Sequence, residues 1–320
     1  MKELEFLKII KDTLTNSHHL GDDCAYLKDL GIFITQDSLV EDVHFSLDTI
    51  SPYQLGRKSV AVNLSDIAAS ISEPKYILIS LSLPPHITED FVNEFYKGVN
   101  DICNEFGVIV AGGDITGSEK IFISVVAIGK KISEYVSSRA YAEEGDIVII
   151  TGDSGSSSCA LFCLKNNIDV KQEIIEKHLN PAPKVIFSEI LAKTSTKNLA
   201  VMDTSDGLVD ALYKISEASK CKIEIELERI PFDKDIEIIA KKHGKNHMDW
   251  VLWGGEDYEI VACIKEDLIE KLDKDSFKII GRVTGSNETG EVILKSKSSE
   301  IKITKEIFEN KSFNHFERDK

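Results

Sequence analysis

The sequence predicts a mixed α/β (α+β) chain of two domains, each a β-sheet covered by helices on one side. Three observations carry this. Short β-rich runs alternate with helical ones along the whole chain. The theme is played twice, with the polar, turn-rich stretch KKISEYVSSRAYAEEGD (130–146) between the halves. Finally, 320 residues with 42% hydrophobic content can fill two cores of ordinary size. The boundary is set between 137 and 138, giving domains of 1–137 and 138–320.

The N-terminus places Leu4, Leu7, Ile10 and Leu14 at helical spacing among charges, which predicts an amphipathic helix and not a signal peptide. In the first half, IFITQDSL (32–39), YILISLSL (76–83), VIVAGGDI (108–115) and IFISVVAIG (121–129) read as strands. Helices are expected over 54–71 and 89–106. In the second half IVIITGD (147–153), KIEIELERI (222–230), EIVACIK (259–265) and FKIIGRV (277–283) read as strands. Helices fall near 155–165, 183–194, 207–219 and 234–243. Pro181 and Pro183 separate two helices, because the residue before a proline avoids the helical region.

A formal net charge of −16 excludes a broad nucleic-acid or anionic-membrane surface, since such partners need basic patches. No apolar run reaches the ~18 residues that span a bilayer. The six cysteines (24, 103, 159, 163, 221, 263) form no C-x-x-C pair and have no His at zinc spacing. They read as buried free thiols of a cytoplasmic protein.

The chemistry is carried by acids beside apolar or small residues. GDDCAYL (21–27), TQDSLVEDVHF (35–45), AVNLSDIAAS (61–70), VAGGDITGS (110–118), VMDTSDGLVDAL (201–212) and WGGEDYEIVACI (253–264) share this pattern. Any one of them could be plain helix capping or an Asx turn. Together they are too many carboxylates in too apolar a setting for solvated loops, and hard cations such as Mg collect carboxylate oxygens around phosphates. Thr35 and Asp37 alternate onto one face of a strand end. Asn63 and Asp66 stand three apart on an apolar helix, where an unpaired carboxylate is unfavourable. Other chemistries lack their signatures. There is no Walker A spacing, no G-x-G-x-x-G, no G-x-S-x-G elbow and no D-x-[DN]-x-[DN]-G calcium loop.

GDDCA, TQDSLVEDVHF, RKSVAVNLSDIAA, GGDITGS, MDTSDGLVDAL and GGEDYEI, in this order, resemble the thiamine-monophosphate kinase family. Aminoimidazole ribonucleotide synthetase and selenophosphate synthetase belong to the same superfamily, and the similarity runs to SFNHF (312–316). The resemblance implies the two-domain synthetase-like fold, a homodimer built by pairing of N-terminal sheets, and ATP with several Mg ions between the domains. It assigns Mg to Asp23, Thr35, Gln36, Asp37, Asp66, Asp114, Asp203 and Asp206. ATP falls to Gly113, Asp114, Arg139 and Ser205, and thiamine monophosphate to His44, Glu256 and Phe313. Two departures stand out. Gln36 replaces the usual Thr, and Glu143 replaces a basic residue common after Arg139. The implied reaction is direct, Mg-dependent transfer of a phosphoryl group from ATP, with no catalytic nucleophile or general base on the protein. A sister ATP-dependent enzyme with another substrate is the alternative.

Overall fold

The computed structural model describes residues 3–16 and 20–313. The first domain opens with helix α1 (Glu3–Thr13), then strands β1 (Ala25–Leu27) and β2 (Ile32–Val40), helix α2 (Pro52–Ala69), strand β3 (Glu73–Leu83), helix α3 (Glu89–Phe106), and strands β4 (Ile109–Gly117) and β5 (Phe122–Lys130). The strands form one sheet in the order β1-β2-β5-β3-β4. Helix α2 starts at Ser51, which caps it in a reciprocal box with Gln54. Packed on α3, it makes a very close crossing. A Cβ on Gly56 would lie 2.0 Å from the Phe95 carbonyl, and one on Gly98 would lie 2.0 Å from that of Tyr53. Only glycine permits this approach.

The second domain comprises β6 (Ile147–Ile150), α4 (Ser156–Lys165), α5 (Gln172–Leu179), α6 (Val185–Thr194), β7 (Ala200–Asp203), α7 (Leu208–Ser219), β8 (Cys221–Glu226), α8 (Lys234–Lys242), α9 (His247–Trp253), β9 (Ile260–Ile264), α10 (Glu266–Ile269), β10 (Lys278–Ser286), β11 (Glu291–Lys295), β12 (Glu300–Ile303) and α11 (Lys305–Lys311). Its sheet runs β12-β11-β8-β10-β6-β9-β7. The predicted strand at 147–153 stops at Ile150, because Gly152 turns the chain at φ 40.

Among the described residues, the first sheet carries helices on one face only. The second does not, and here the one-sided expectation is corrected. Ala200, Met202, Val261 and Cys263 pack with α7 on one face, whereas Val201, Ile260 and Ala262 share a core with Leu55, Leu64 and Ile67 of α2 and Leu191 of α6 on the other. The first domain thus supplies part of the second cover. As a result α2 is buried nearly all round, and its Leu55, Leu64 and Ile67 each stabilise the joint by about 1.5–3 kcal/mol. Polar groups on such a helix must find partners inside the protein.

All six cysteines are free and buried. Helix α1 leaves Leu7, Ile9 and Ile10 exposed, and the side chain of Leu4 and the end of SFNHF (314–316) lie outside the described residues. No helix among the described residues is long and apolar enough to cross a membrane. The open face of the first sheet and its edge strand β4 expose Tyr76, Leu78, Phe122, Ile109 and Val110.

Candidate active site

A cleft of about 1230 Å³ lies between the domains, walled by β2 and its following turn, the start of α7, the 253–258 loop, and the facing sides of α4 and α5. Three carboxylates meet beside it. Asp23 precedes β1, Asp66 sits on α2, Asp203 ends β7, and one oxygen of each lies within 4.8 Å of the others.

Each acid is held by its local structure. The Thr35 hydroxyl donates to Asp66 Oδ2 at 2.5 Å. Ser65 donates to Asp203 Oδ2 at 2.6 Å, and the Ser205 hydroxyl donates to Oδ1 at 2.8 Å. Arg139 reaches Asp23 Oδ1 at 2.7 Å. The Asp37 backbone N–H donates to Asn63 Oδ1 at 2.9 Å, which fixes β2 against α2. Asp203 and Asp206 are not helix caps, since α7 begins at Gly207 with no side-chain cap bond. Gly207 holds φ 105, and a Cβ there would crowd the Trp253 and Gly254 backbone at 3.0 Å.

The electrostatics follow from this geometry. Burial pushes the Asp66 carboxyl well above its ordinary range, and Asp37, Asp203 and Asp23 push it further. Burial, then Asp23, raises Asp203 to about 7 despite its hydroxyl partners. The set is therefore short of positive charge. An oxygen-rich, partly buried group of carboxylates around one hydroxyl is the donor set a hard divalent cation takes, so the residues fit Mg. Across the cleft Asp206 pairs with Lys214 at 3.0 Å, and Lys214 also holds Asp210 at 2.6 Å.

The three residues expected at the acceptor all line the same cleft: His44, Glu256 and Phe313. His44 Nδ1 accepts from the Val40 N–H at 3.0 Å, closing the turn after β2. Phe313 is 56% exposed, so it is not a core residue. Glu256 has φ 64 and pairs with Lys58 at 3.1 Å and His178 at 3.2 Å. Burial opposes its charge, but Lys58 and then His178 outweigh it and hold the carboxyl at about 2.

Not every expected residue joins the site. Gly113 and Asp114 lie on β4, where Asp114 registers with Ser80, Ser80 with Ser124 and Ser124 with Ser38 of β2. That is three strand spacings, about 14 Å. Within one chain they stand apart from the cluster. The Gln36 side chain alternates away from Thr35 and donates to Ser124 at 2.9 Å on the open sheet face, so it does not enter the acid cluster. Glu143 pairs with Lys197 at 2.9 Å and Lys265 at 3.2 Å, away from Arg139. Residues that sequence reasoning missed are Lys58, His178 and Lys214. The available signal for Lys58 was a lysine opening the apolar run of α2.

The first half matches the family model for the AIR synthase related protein N-terminal domain over residues 21–130, and the second half the C-terminal domain over 143–293. The thiamine-monophosphate kinase of Bacillus subtilis is 33% identical, covering 98% of this chain and 99% of the relative. That of Buchnera aphidicola (Acyrthosiphon pisum) is 37% identical over 93% and 92%. The chain belongs to the thiamine-monophosphate kinase family. Among solved structures, AaThiL complexed with AMPPCP and TMP matches with TM-score 0.85 and 32% identity, over 98% of this chain and 97% of that one. The HypE hydrogenase maturation protein in complex with ATP, at 16% identity and TM-score 0.73 over 85% and 84%, shares the fold. The family's two-domain layout is the one described above.

Proposed function

We propose that the protein transfers the γ-phosphoryl group of ATP to thiamine monophosphate, giving thiamine diphosphate and ADP. The observation that carries this reading is the acid cluster shared by both domains at the cleft, in a chain similar to a solved kinase whose complex holds AMPPCP and TMP.

The attacking group is an oxygen of the acceptor's phosphate monoester, whose second pKa of about 6 leaves it largely ionised at neutral pH. It forms a bond to the γ-phosphorus as the bridging oxygen leaves with ADP. No side chain needs to remove a proton. The obstacle is charge, because two unit charges about 4 Å apart repel by about 4 kcal/mol at an effective dielectric near 20. Asp23, Asp66 and Asp203, with Thr35, Asp37 and Asp206, would hold Mg. When bound, Mg supplies the positive charge that offsets this repulsion and orients the phosphates. Arg139 and Ser205 stand beside those acids and would position the nucleotide. His44, Glu256 and Phe313 would hold the acceptor at the other end of the cleft.

Gly113 and Asp114 enter this scheme through a second copy of the chain. The exposed Tyr76, Leu78 and Phe122 on the open face of the first sheet support a homodimer built by pairing those faces, and β4 lies along it. ATP as co-substrate supports the reading of a cytoplasmic enzyme. Labelled ATP tests the route of transfer. Label should appear in thiamine diphosphate and never on the protein, whereas label trapped on the protein from ATP alone would contradict direct transfer.

A further inference from the structure

Lys58 stands behind the acceptor end of the cleft without lining it. It is 1% exposed, a lysine among the largely apolar buried residues of α2. Its Nζ meets Glu256 Oε2 at 3.1 Å, and His178 Nδ1 meets the same oxygen at 3.2 Å. His178 Nδ1 also lies 2.8 Å from Ser157 Oγ. One carboxylate oxygen is thus held from two sides, by α2 of the first domain and α5 of the second. Among the described residues, Glu256 Oε1 makes no hydrogen bond, while Glu256 itself faces the cleft.

The arrangement restricts what Glu256 can do. The buried Lys58 ammonium and the half-buried Glu256 carboxylate hold one another in a single geometry, because an unpaired ammonium would be strongly unfavourable there. The backbone is constrained as well, with left-handed φ values of 64 at Glu256 and 52 at Tyr258, which persist only where the surroundings enforce them. An ionised carboxylate accepts and never donates. The exposed oxygen therefore favours an N–H donor and opposes a carbonyl placed at the same point.

We propose that Lys58 is a positioning residue for acceptor recognition: with His178 it fixes Glu256 so that Oε1 takes an N–H of the acceptor's aminopyrimidine, selecting it over a 4′-oxo ring. This rests on the reading of Glu256 as an acceptor-site residue. Without Lys58, the carboxylate loses both its counter-charge and its fixed direction. Selectivity between amino and oxo rings then falls.

The test compares thiamine monophosphate with its 4′-oxo analogue as acceptors for the full-length enzyme at saturating ATP and Mg. Wild type should favour the amino acceptor in kcat/KM by at least about tenfold, since a site built for an N–H leaves its polar groups mispaired with a carbonyl. Lys58→Met should raise KM for thiamine monophosphate by about tenfold, with a smaller effect on kcat and on KM for ATP, and bring the amino-to-oxo ratio towards one. Lys58→Arg should restore most of the ratio. An unchanged ratio in Lys58→Met overturns the proposal, as does a parallel loss for both acceptors and ATP together with a lower unfolding temperature. Should Lys58→Met not fold, His178→Leu removes the other holder of Oε2 and must lower the ratio in the same direction. Glu256→Gln separates the two levels. If it leaves acceptor KM and the ratio untouched, the reading of Glu256 fails. If it moves them while Lys58→Met does not, only the role of Lys58 fails.

Discussion

Asp66 on α2 and Asp203 at the end of β7 bring carboxylate oxygens from different domains within 4.8 Å of each other, with Asp23 inside the same distance. Neither can ionise without facing the other, and the cation paired within the group is Arg139 on Asp23. The domains are joined elsewhere by a continuous apolar core, so this point of repulsion is maintained by packing. A divalent cation would convert it to attraction, so metal binding should add to the stability of a joint the apolar core already makes.

Replacing Asp203 with Asn is therefore expected to act in opposite directions on activity and on metal-free stability. Turnover at saturating Mg should fall more than tenfold, a loss above about 1.4 kcal/mol in the barrier. The metal-free unfolding temperature should rise, because a buried charge repelled by Asp23 and Asp66 is gone. Steady-state kinetics and a thermal melt in chelator check both halves. Asp66→Asn should behave alike.

The pH dependence of metal-free stability has a definite sign. Asp203 is raised to about 7, so between the ordinary carboxyl range and neutrality the folded chain binds more protons than the unfolded one. This contribution is complete below about pH 4 and is lost as pH rises through about 7. Glu256, held at about 2, acts with the opposite sign only in strong acid and does not offset the decline. Denaturant titrations of the chelated protein from pH 5 to 8 should show stability falling, and Asp203→Asn should flatten the slope.

Much of this was legible in the sequence, for identifiable reasons. The long strands β2, β3 and β5 are rich in β-branched and other apolar residues, and α3 carries a clear amphipathic stripe between Thr88 and Gly107. Short elements such as α9 and the β11–β12 pair carry too few residues for a period to stand out. The clustered acids Asp23, Asp66 and Asp203 were readable because each stands beside apolar or small residues. The Lys58–Glu256 pair was not, since it depends on how one domain rests on the other. Nor was the partner of Asp203 legible, because Ser65 comes from the other domain.

Phe313 is expected to matter for the acceptor and little for the fold. It is 56% exposed at the cleft, and exposed substitutions usually change stability by less than about 0.5 kcal/mol. Phe313→Ala should raise KM for thiamine monophosphate several-fold, on the order of the 0.5–2 kcal/mol that a ring contributes against a cation, and leave KM for ATP unchanged. Equal losses for both substrates with a lower melting temperature would contradict the assignment.

Leu78 lies on the open face of the first sheet next to Tyr76 and opposite Val126. Leu78→Lys places charge where pairing of two copies would bury it. Light scattering should then report half the wild-type mass, and turnover should drop because Asp114 no longer reaches a site. Full activity in a monomeric wild type would refute the paired arrangement.

The central claim is that this cleft moves a phosphoryl group from ATP onto thiamine monophosphate. Mass analysis of purified protein incubated with ATP, Mg and thiamine monophosphate tests it most directly. The account predicts thiamine diphosphate and ADP in equal amounts, and neither when Mg is chelated. ADP with free phosphate and unchanged thiamine monophosphate would contradict it.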